Sequence, residues 1–217
     1  MQAETKSLTE ERMNKILAIL AMVAMTLTAS AQEGGIRVNY QGAKPTISNF
    51  VTAFLNSRSD GDDDCSDESF NAVQQAWNNH LKGKKLQDGE TLSVDEKNGF
   101  VLYEIKHDEH LLRIEMCYWN ETDQKHKLFA YNVGCYRNGK YSAGQFDGLT
   151  FYRYNNATKK MAISFETGFD VEYGTEDGCW ASYALPRAGK DIIVTYWKNS
   201  VKKQQKTLKW QGSKFSF

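Results

Sequence analysis

From Thr91 to the C-terminus, apolar residues recur every two positions, and short polar turn signals break the pattern at close intervals. A period of two puts alternate side chains on opposite faces of an extended chain, so this stretch predicts strands rather than helices. The predicted strands are 91–95, 99–106, 110–119, 127–137, 140–146, 149–154, 160–166, 179–185, 191–198, 206–211 and 213–217. Asn98-Gly99 and Asn138-Gly139 suit two-residue type I′ hairpins, whose central positions both need positive φ. Asp147-Gly148 and Asn155-Asn156 read as further turns. Strands this close together leave no room for crossover helices, so they must pair mostly antiparallel.

The segment before Thr91 has a different period. After Pro45, residues Ile47, Phe50, Val51, Phe54 and Leu55 follow the spacing of one helical stripe. An acidic loop, SRSDGDDDCSDE, separates this helix from a second one. Ser66 or Asp67 can cap the second helix, Phe70, Val73, Trp77 and Leu81 form its stripe, and Gly83 ends it. The predicted fold is α+β: two N-terminal amphipathic helices packed on a long, curved antiparallel β-meander. Residues 45–217 make a single domain. Residues 32–44 make a flexible N-terminal segment, in which Ile36, Val38 and Tyr40 alternate enough for a short edge strand.

Residues 1–31 are a leader and signal peptide on this reading. Arg12 and Lys15 are its basic end, Ile16 to Leu27 its apolar run, and Ala29-Ser30-Ala31 its small-residue cleavage site. The apolar run is shorter than the roughly 20 residues a spanning helix needs. The first cysteine, Cys65, is far from the cleavage site, so no lipid anchor is expected there. The leader fits a start at Met1 or at Met13. The expected product is exported to the periplasm or beyond, begins at Gln32, and has no membrane anchor. The whole chain balances 27 basic against 27 acidic residues, and the leader removes equal numbers of each. A neutral chain has no electrostatic footprint for nucleic acid.

Export makes disulfides possible at Cys65, Cys117, Cys135 and Cys179. Cys117 and Cys135 fall on neighbouring predicted strands, and a hairpin loop of about five residues would set them opposite each other. Four buried thiols are the alternative.

Several segments invite a chemical role. Gly178-Cys179-Trp180-Ala181-Ser182 resembles, over five residues, the nucleophile segment of papain-like proteases. That chemistry needs a downstream His, but the last one here is His126, and Tyr173 stands where the oxyanion Gln belongs. His107-Asp108-Glu109-His110 sits at a predicted hairpin tip and lacks a third fixed metal ligand. Asp60, Asp62 and Asp64 offer an irregular cation site, although Cys65 and Asn71 occupy positions where a calcium loop needs Gly and Glu. Asp170, Glu172, Glu176 and Asp177, in the 166–178 loop, could supply a carboxylate pair for glycoside hydrolysis. No P-loop or dinucleotide fingerprint occurs, so no cofactor is expected.

The aromatics are the positive signal. Cys117-Tyr118-Trp119 and Phe151-Tyr152-Arg153-Tyr154 put rings on both faces of their strands, as does the region around Trp180 and Trp197. A half-buried strand should have one polar face. Either both faces are covered, or some rings are exposed for binding. Trp119, Tyr152, Tyr154, Trp180 and Trp197 are therefore the candidate ligand contacts of a non-catalytic exported binding module, its partner a protein or a glycan. The alternatives are a carboxylate-dependent hydrolase using the 166–178 loop, and an inhibitor or immunity-like protein. The signal segment and β-rich body together resemble small uncharacterised secreted or periplasmic bacterial proteins, a likeness that rests on no specific motif and implies no activity.

Overall fold

The alternation from Thr91 onward folds into two antiparallel sheets rather than one. The computed structural model describes residues 34–57, 68–143, 147–172 and 178–217. The expectations for residues 1–31 and for Asp60, Asp62, Asp64, Cys65, Glu176 and Asp177 lie outside these residues.

The first sheet contains β1 (Ile36–Arg37), β2 (Glu90–Asp95), β3 (Phe100–His107), β4 (His110–Asn120), β5 (His126–Arg137), β6 (Lys140–Tyr141), β7 (Gly148–Asn155) and β8 (Lys160–Ile163). Its order is β1-β8-β7-β5-β4-β3-β2, with β6 pairing beside β5. The second sheet contains β9 (Cys179–Ala184), β10 (Ile192–Lys198), β11 (Val201–Trp210) and β12 (Phe215–Ser216), in the order β12-β11-β10-β9. Two helices precede the meander: α1 (Ile47–Ser57) and α2 (Glu68–Leu81).

These elements bury two separate cores. Ile47, Phe50, Val51, Phe54 and Leu55 of α1 join Val73 and Trp77 of α2. They pack with Val101, Tyr103, Ile114, Met116, Phe129, Tyr131 and Tyr154 of the first sheet. On the neighbouring strand positions, Phe100, Cys117, Trp119, Leu128, Ala130 and Phe151 cluster with Ala181, Tyr183, Ile192, Val194 and Leu208 of the second sheet. Successive strand residues point to opposite faces, so the first sheet is apolar on both. It therefore requires a cover on each side, helices on one and the second sheet on the other. The central strand shows this directly: Lys127 through Gly134 of β5 are all buried. Fully burying a ring such as Phe50 or Phe54 contributes roughly 2–3 kcal/mol before entropic costs.

The expectation of one long meander is corrected accordingly. β2 to β8 form one meander and β9 to β12 another. Strand β11 also begins earlier than its hydrophobicity suggests. Residues 201–207 are exposed throughout, so no alternation marks them. What starts the strand is the turn: Asn199 and Ser200 both adopt positive φ (49° and 58°), and Lys198 pairs with Val201. Right-handed strands accept this turn geometry without splaying.

The turns divide between expectation and correction. Asn138 and Gly139 both have positive φ, 51° and 73°, as a type I′ turn requires. Asn98-Gly99 is not such a turn. The loop there is longer, since Asp95 pairs with Phe100, and Asn98 instead donates its backbone N–H (3.1 Å) and side-chain N–H (2.9 Å) to the Asp95 carboxylate. Gly99 alone takes positive φ (68°), and an added Cβ would lie 2.7 Å from the Tyr118 ring.

The β4–β5 register also removes the proposed Cys117–Cys135 bridge. Cys117 lies opposite Ala130, and Cys135 opposite Leu112. This register pairs odd-numbered residues with even-numbered ones, so two odd-numbered cysteines cannot face each other. Cys117 shares the face of Trp119 and Leu128. Cys135 alternates with Phe129, Tyr131 and Val133, which occupy the helix face. Among the described residues no disulfide forms, and Cys117 is a buried free thiol whose pKa is pushed up by burial.

Candidate functional site

The five candidate aromatics separate into three environments. Trp119 is 4% exposed and Tyr154 0%. Trp119 packs edge-on against Phe215 at 5.1 Å and donates its indole N–H to the Lys190 carbonyl at 2.8 Å. Tyr154 lies under Phe50 at 5.1 Å. Both rings belong to the cores, and neither presents a face to a ligand. Tyr152 is half-buried against Phe54 at 5.3 Å. Trp180 and Trp197 differ from all three: they are cross-strand partners on β9 and β10, and Trp180 is 39% exposed.

Both residues border a pocket of about 250 Å³ with Glu172, Cys179, Ala181, Tyr196, Lys198, Lys203 and Gln204. Its walls are fixed from several sides. The Trp197 indole donates to Ser182 Oγ at 2.8 Å. Beyond it, Tyr141 stands 6.0 Å from Trp197, and Tyr136 a further 5.7 Å away, continuing an aromatic row onto the first sheet. Tyr196 donates its hydroxyl to Glu172 Oε1 at 3.0 Å. Partial burial, followed by this carboxylate, pushes the Tyr196 pKa up to about 12. The backbone of Glu172 is held in turn, its N–H donating to the Tyr183 hydroxyl at 2.7 Å.

A β-bulge shapes the rim. Tyr196 lies opposite Gln204 and Trp197 opposite Lys202, which leaves Lys203 as an extra residue in β11. A bulge bends its strand and re-aims a side chain. Strand β10 itself keeps its alternation against β9, with Tyr196 opposite Ala181 and Trp197 opposite Trp180, so the pocket lies at the sheet end and touches residues of both faces, Lys203 and Gln204 among them. The lining thus combines aromatic residues with a glutamate, a glutamine and two lysines, residue types that suit a ligand with one apolar face and several hydroxyls.

The carboxylates of the 166–178 loop do not converge among the described residues. Glu172 borders this pocket, whereas Asp170 lines a different cleft with Leu149, Phe151, Phe165 and Phe169. Cys179, also at the pocket, has no imidazole among the lining residues to activate it.

Two polar clusters lie elsewhere. Between the sheets, Glu115 Oε2 accepts the Leu185 N–H at 2.9 Å and the Asn132 side-chain N–H at 3.2 Å, while Asn132 also donates to the Tyr183 carbonyl at 2.9 Å. This is a clasp between layers, and burial raises the Glu115 pKa. At the β4–β5 turn, Glu121, Asp123 and His126 come within metal-ligating distance of one another. The hydrogen bonds there oppose a metal. Asn155 Oδ1 accepts two turn N–H groups, from Ala157 and Thr158, so its amide N–H faces His126 Nε2 at 3.2 Å. Nε2 must accept, which leaves the proton on Nδ1, donated to Asp123 at 2.6 Å. Arg153 already occupies Glu121 through two hydrogen bonds. The cluster ties the turn to β7.

Among the described residues, no helix is long and apolar enough to cross a membrane. Of the residues lining the pocket, the sequence points to Trp180 and Trp197 as ligand contacts, to Glu172 as a possible catalytic carboxylate and to Cys179 as a possible disulfide partner. Lys198 and the bulge at Lys203 are not legible in the sequence, because nothing in the local pattern announces a bulge. Compared with protein-family models, curated proteins and solved structures, the chain matches none.

Proposed function

We propose that this protein is an exported, non-catalytic carbohydrate-binding module, and that Trp180 and Trp197 are its stacking platform. The observation that carries the reading is the half-exposed Trp180 ring set beside Trp197 in a pocket edged by Glu172, Lys203 and Gln204. Indole faces suit the C–H face of a sugar ring, and planar or charged side chains suit its hydroxyls. The Met13–Ala31 segment supports export. The hydrolase reading finds less support, because Asp170 and Glu172 border different cavities.

The test uses the processed protein as it is secreted. N-terminal sequencing is expected to begin at Gln32. Tryptophan fluorescence titrated with a panel of cell-envelope oligosaccharides is expected to reveal a binder. Trp180→Ala should weaken that binder about tenfold or more while leaving the circular dichroism unchanged. Equal binding by Trp180→Ala would remove the pocket from the account.

A further inference from the structure

We infer that the free edge of β11 takes up an extended acidic peptide of a partner protein, which adds to the second sheet as a further strand. Strand β12 pairs with β11 at Lys209 and Trp210, and among the described residues nothing pairs with the outer edge from Val201 to Leu208. Residues 201–207 are exposed throughout. The other edge strand of that sheet, β9, instead buries Ala181, Ser182 and Tyr183. The open edge also has a defined hydrogen-bonding pattern. Gln211 N–H donates to the Lys214 carbonyl at 2.8 Å, toward β12, while Trp210 N–H donates to Asp191 Oδ1 at 3.1 Å, toward β10. The period of two therefore turns the N–H and C=O of Thr207 and Gln205 away from β10, to the open side. Such unpaired groups are a template for strand addition.

The charge on the edge selects the strand. Every charged residue from Ile192 to Phe217 is a lysine: Lys198, Lys202, Lys203, Lys206, Lys209 and Lys214. The acidic residues at 172–177, Glu172, Glu176 and Asp177, are too few to balance them, and they precede β9, the opposite edge of the sheet. Lys202, Lys203 and Lys206 are exposed. Lys202 Nζ donates to Gln205 Oε1 at 3.0 Å, and Lys206 Nζ lies 5.4 Å from the Tyr196 ring and 5.0 Å from the Phe217 ring, all neutral groups. Two copies of this edge laid together would set lysine against lysine, which disfavours pairing. An acidic strand would set carboxylates there instead. The side chains that discourage self-association thus favour an acidic partner.

The secreted protein is titrated with a fluorescent peptide of alternating glutamate and threonine. Its glutamine counterpart removes the charge, and the same acidic peptide methylated on every backbone nitrogen keeps the charge but removes the donors. The acidic peptide is expected to bind about tenfold or more tightly than either control. Lys202→Gln combined with Lys206→Gln should weaken it about tenfold, and added salt should weaken it further. Thr207→Pro removes an outward N–H without removing a hydrogen bond to β10, a change that edge strands tolerate. It should weaken binding with the circular dichroism unchanged; should this variant fail to fold, the methylated peptide makes the same test. Equal binding of the methylated peptide would overturn strand addition, and equal binding of the glutamine peptide would overturn the selection for acid. No binding of the acidic peptide, with phosphatidylglycerol vesicles bound instead, would assign the lysines to a lipid surface and overturn the proposal.

Discussion

The two faces of the central sheet are held by different means. On the helix side, contact is dominated by interlocking rings: Phe54 alone meets Phe70, Phe129, Tyr131 and Tyr152 at 4.8–5.8 Å between centroids. On the other side, aromatic packing around Trp119 and Phe215 is joined by directional polar ties through Glu115, Asn132 and the Lys190 carbonyl. Apolar packing is tolerant of direction. A buried hydrogen bond is not, because a misplaced partner leaves a desolvated group unsatisfied. The helix face thus gains stability from area, while the sheet–sheet face also gains a fixed register. That register is what brings the β9–β10 end beside Tyr136 and Tyr141 and positions the pocket.

The sharpest way to break this contrast is on the helix side. Phe54→Ala is expected to cost about 3–5 kcal/mol, measured by urea unfolding, through lost burial and a residual cavity. On the opposite face, Glu115→Ala should cost less, about 1–3 kcal/mol, since it strands the Leu185 N–H and one Asn132 donor. If the clasp fixes register, this variant should also perturb the Trp180 fluorescence titration, which Phe54→Ala at matched folded fraction should not.

The pH dependence sharpens the same point. Burial holds Glu115 above the usual carboxylate range, so the folded state keeps its proton to higher pH than the unfolded chain does. Stability from this group is complete below the unfolded value of roughly 4.3 and is lost as pH rises through the folded value. Denaturation midpoints of Glu115→Gln should therefore vary less over that range than those of the parent. A steeper profile in the variant would contradict the assignment.

Smaller effects are expected farther from the cores. Trp180→Ala should change stability by no more than about 1 kcal/mol, because part of the ring is already in water. Cys117 should resist alkylation in the native protein and react once it is unfolded, with no gain in reactivity from a reductant.

Much of the strand order was legible because the strands of the first sheet carry strong alternation and distinct turn residues. Strands β2 to β5 fall within a residue or so of their expected limits. Strand β11 was not legible over 201–207, since a strand exposed on both faces has no apolar period. The candidate site was legible only as a set of ring types. Trp119 and Trp180 have similar local surroundings in sequence, yet one is a core residue with its N–H satisfied and the other half-faces solvent.

By itself, then, the sequence determined a β-rich chain with two preceding helices, because residue period and turn chemistry are local properties. Only the tertiary structure decided that the strands divide into two sheets, that Cys117 and Cys135 point to opposite faces, and that a bulge makes Lys203 an extra residue of β11. Those outcomes depend on which surface covers each face and on one residue of register. Both are set by contacts between segments far apart in the chain, and no local pattern records them.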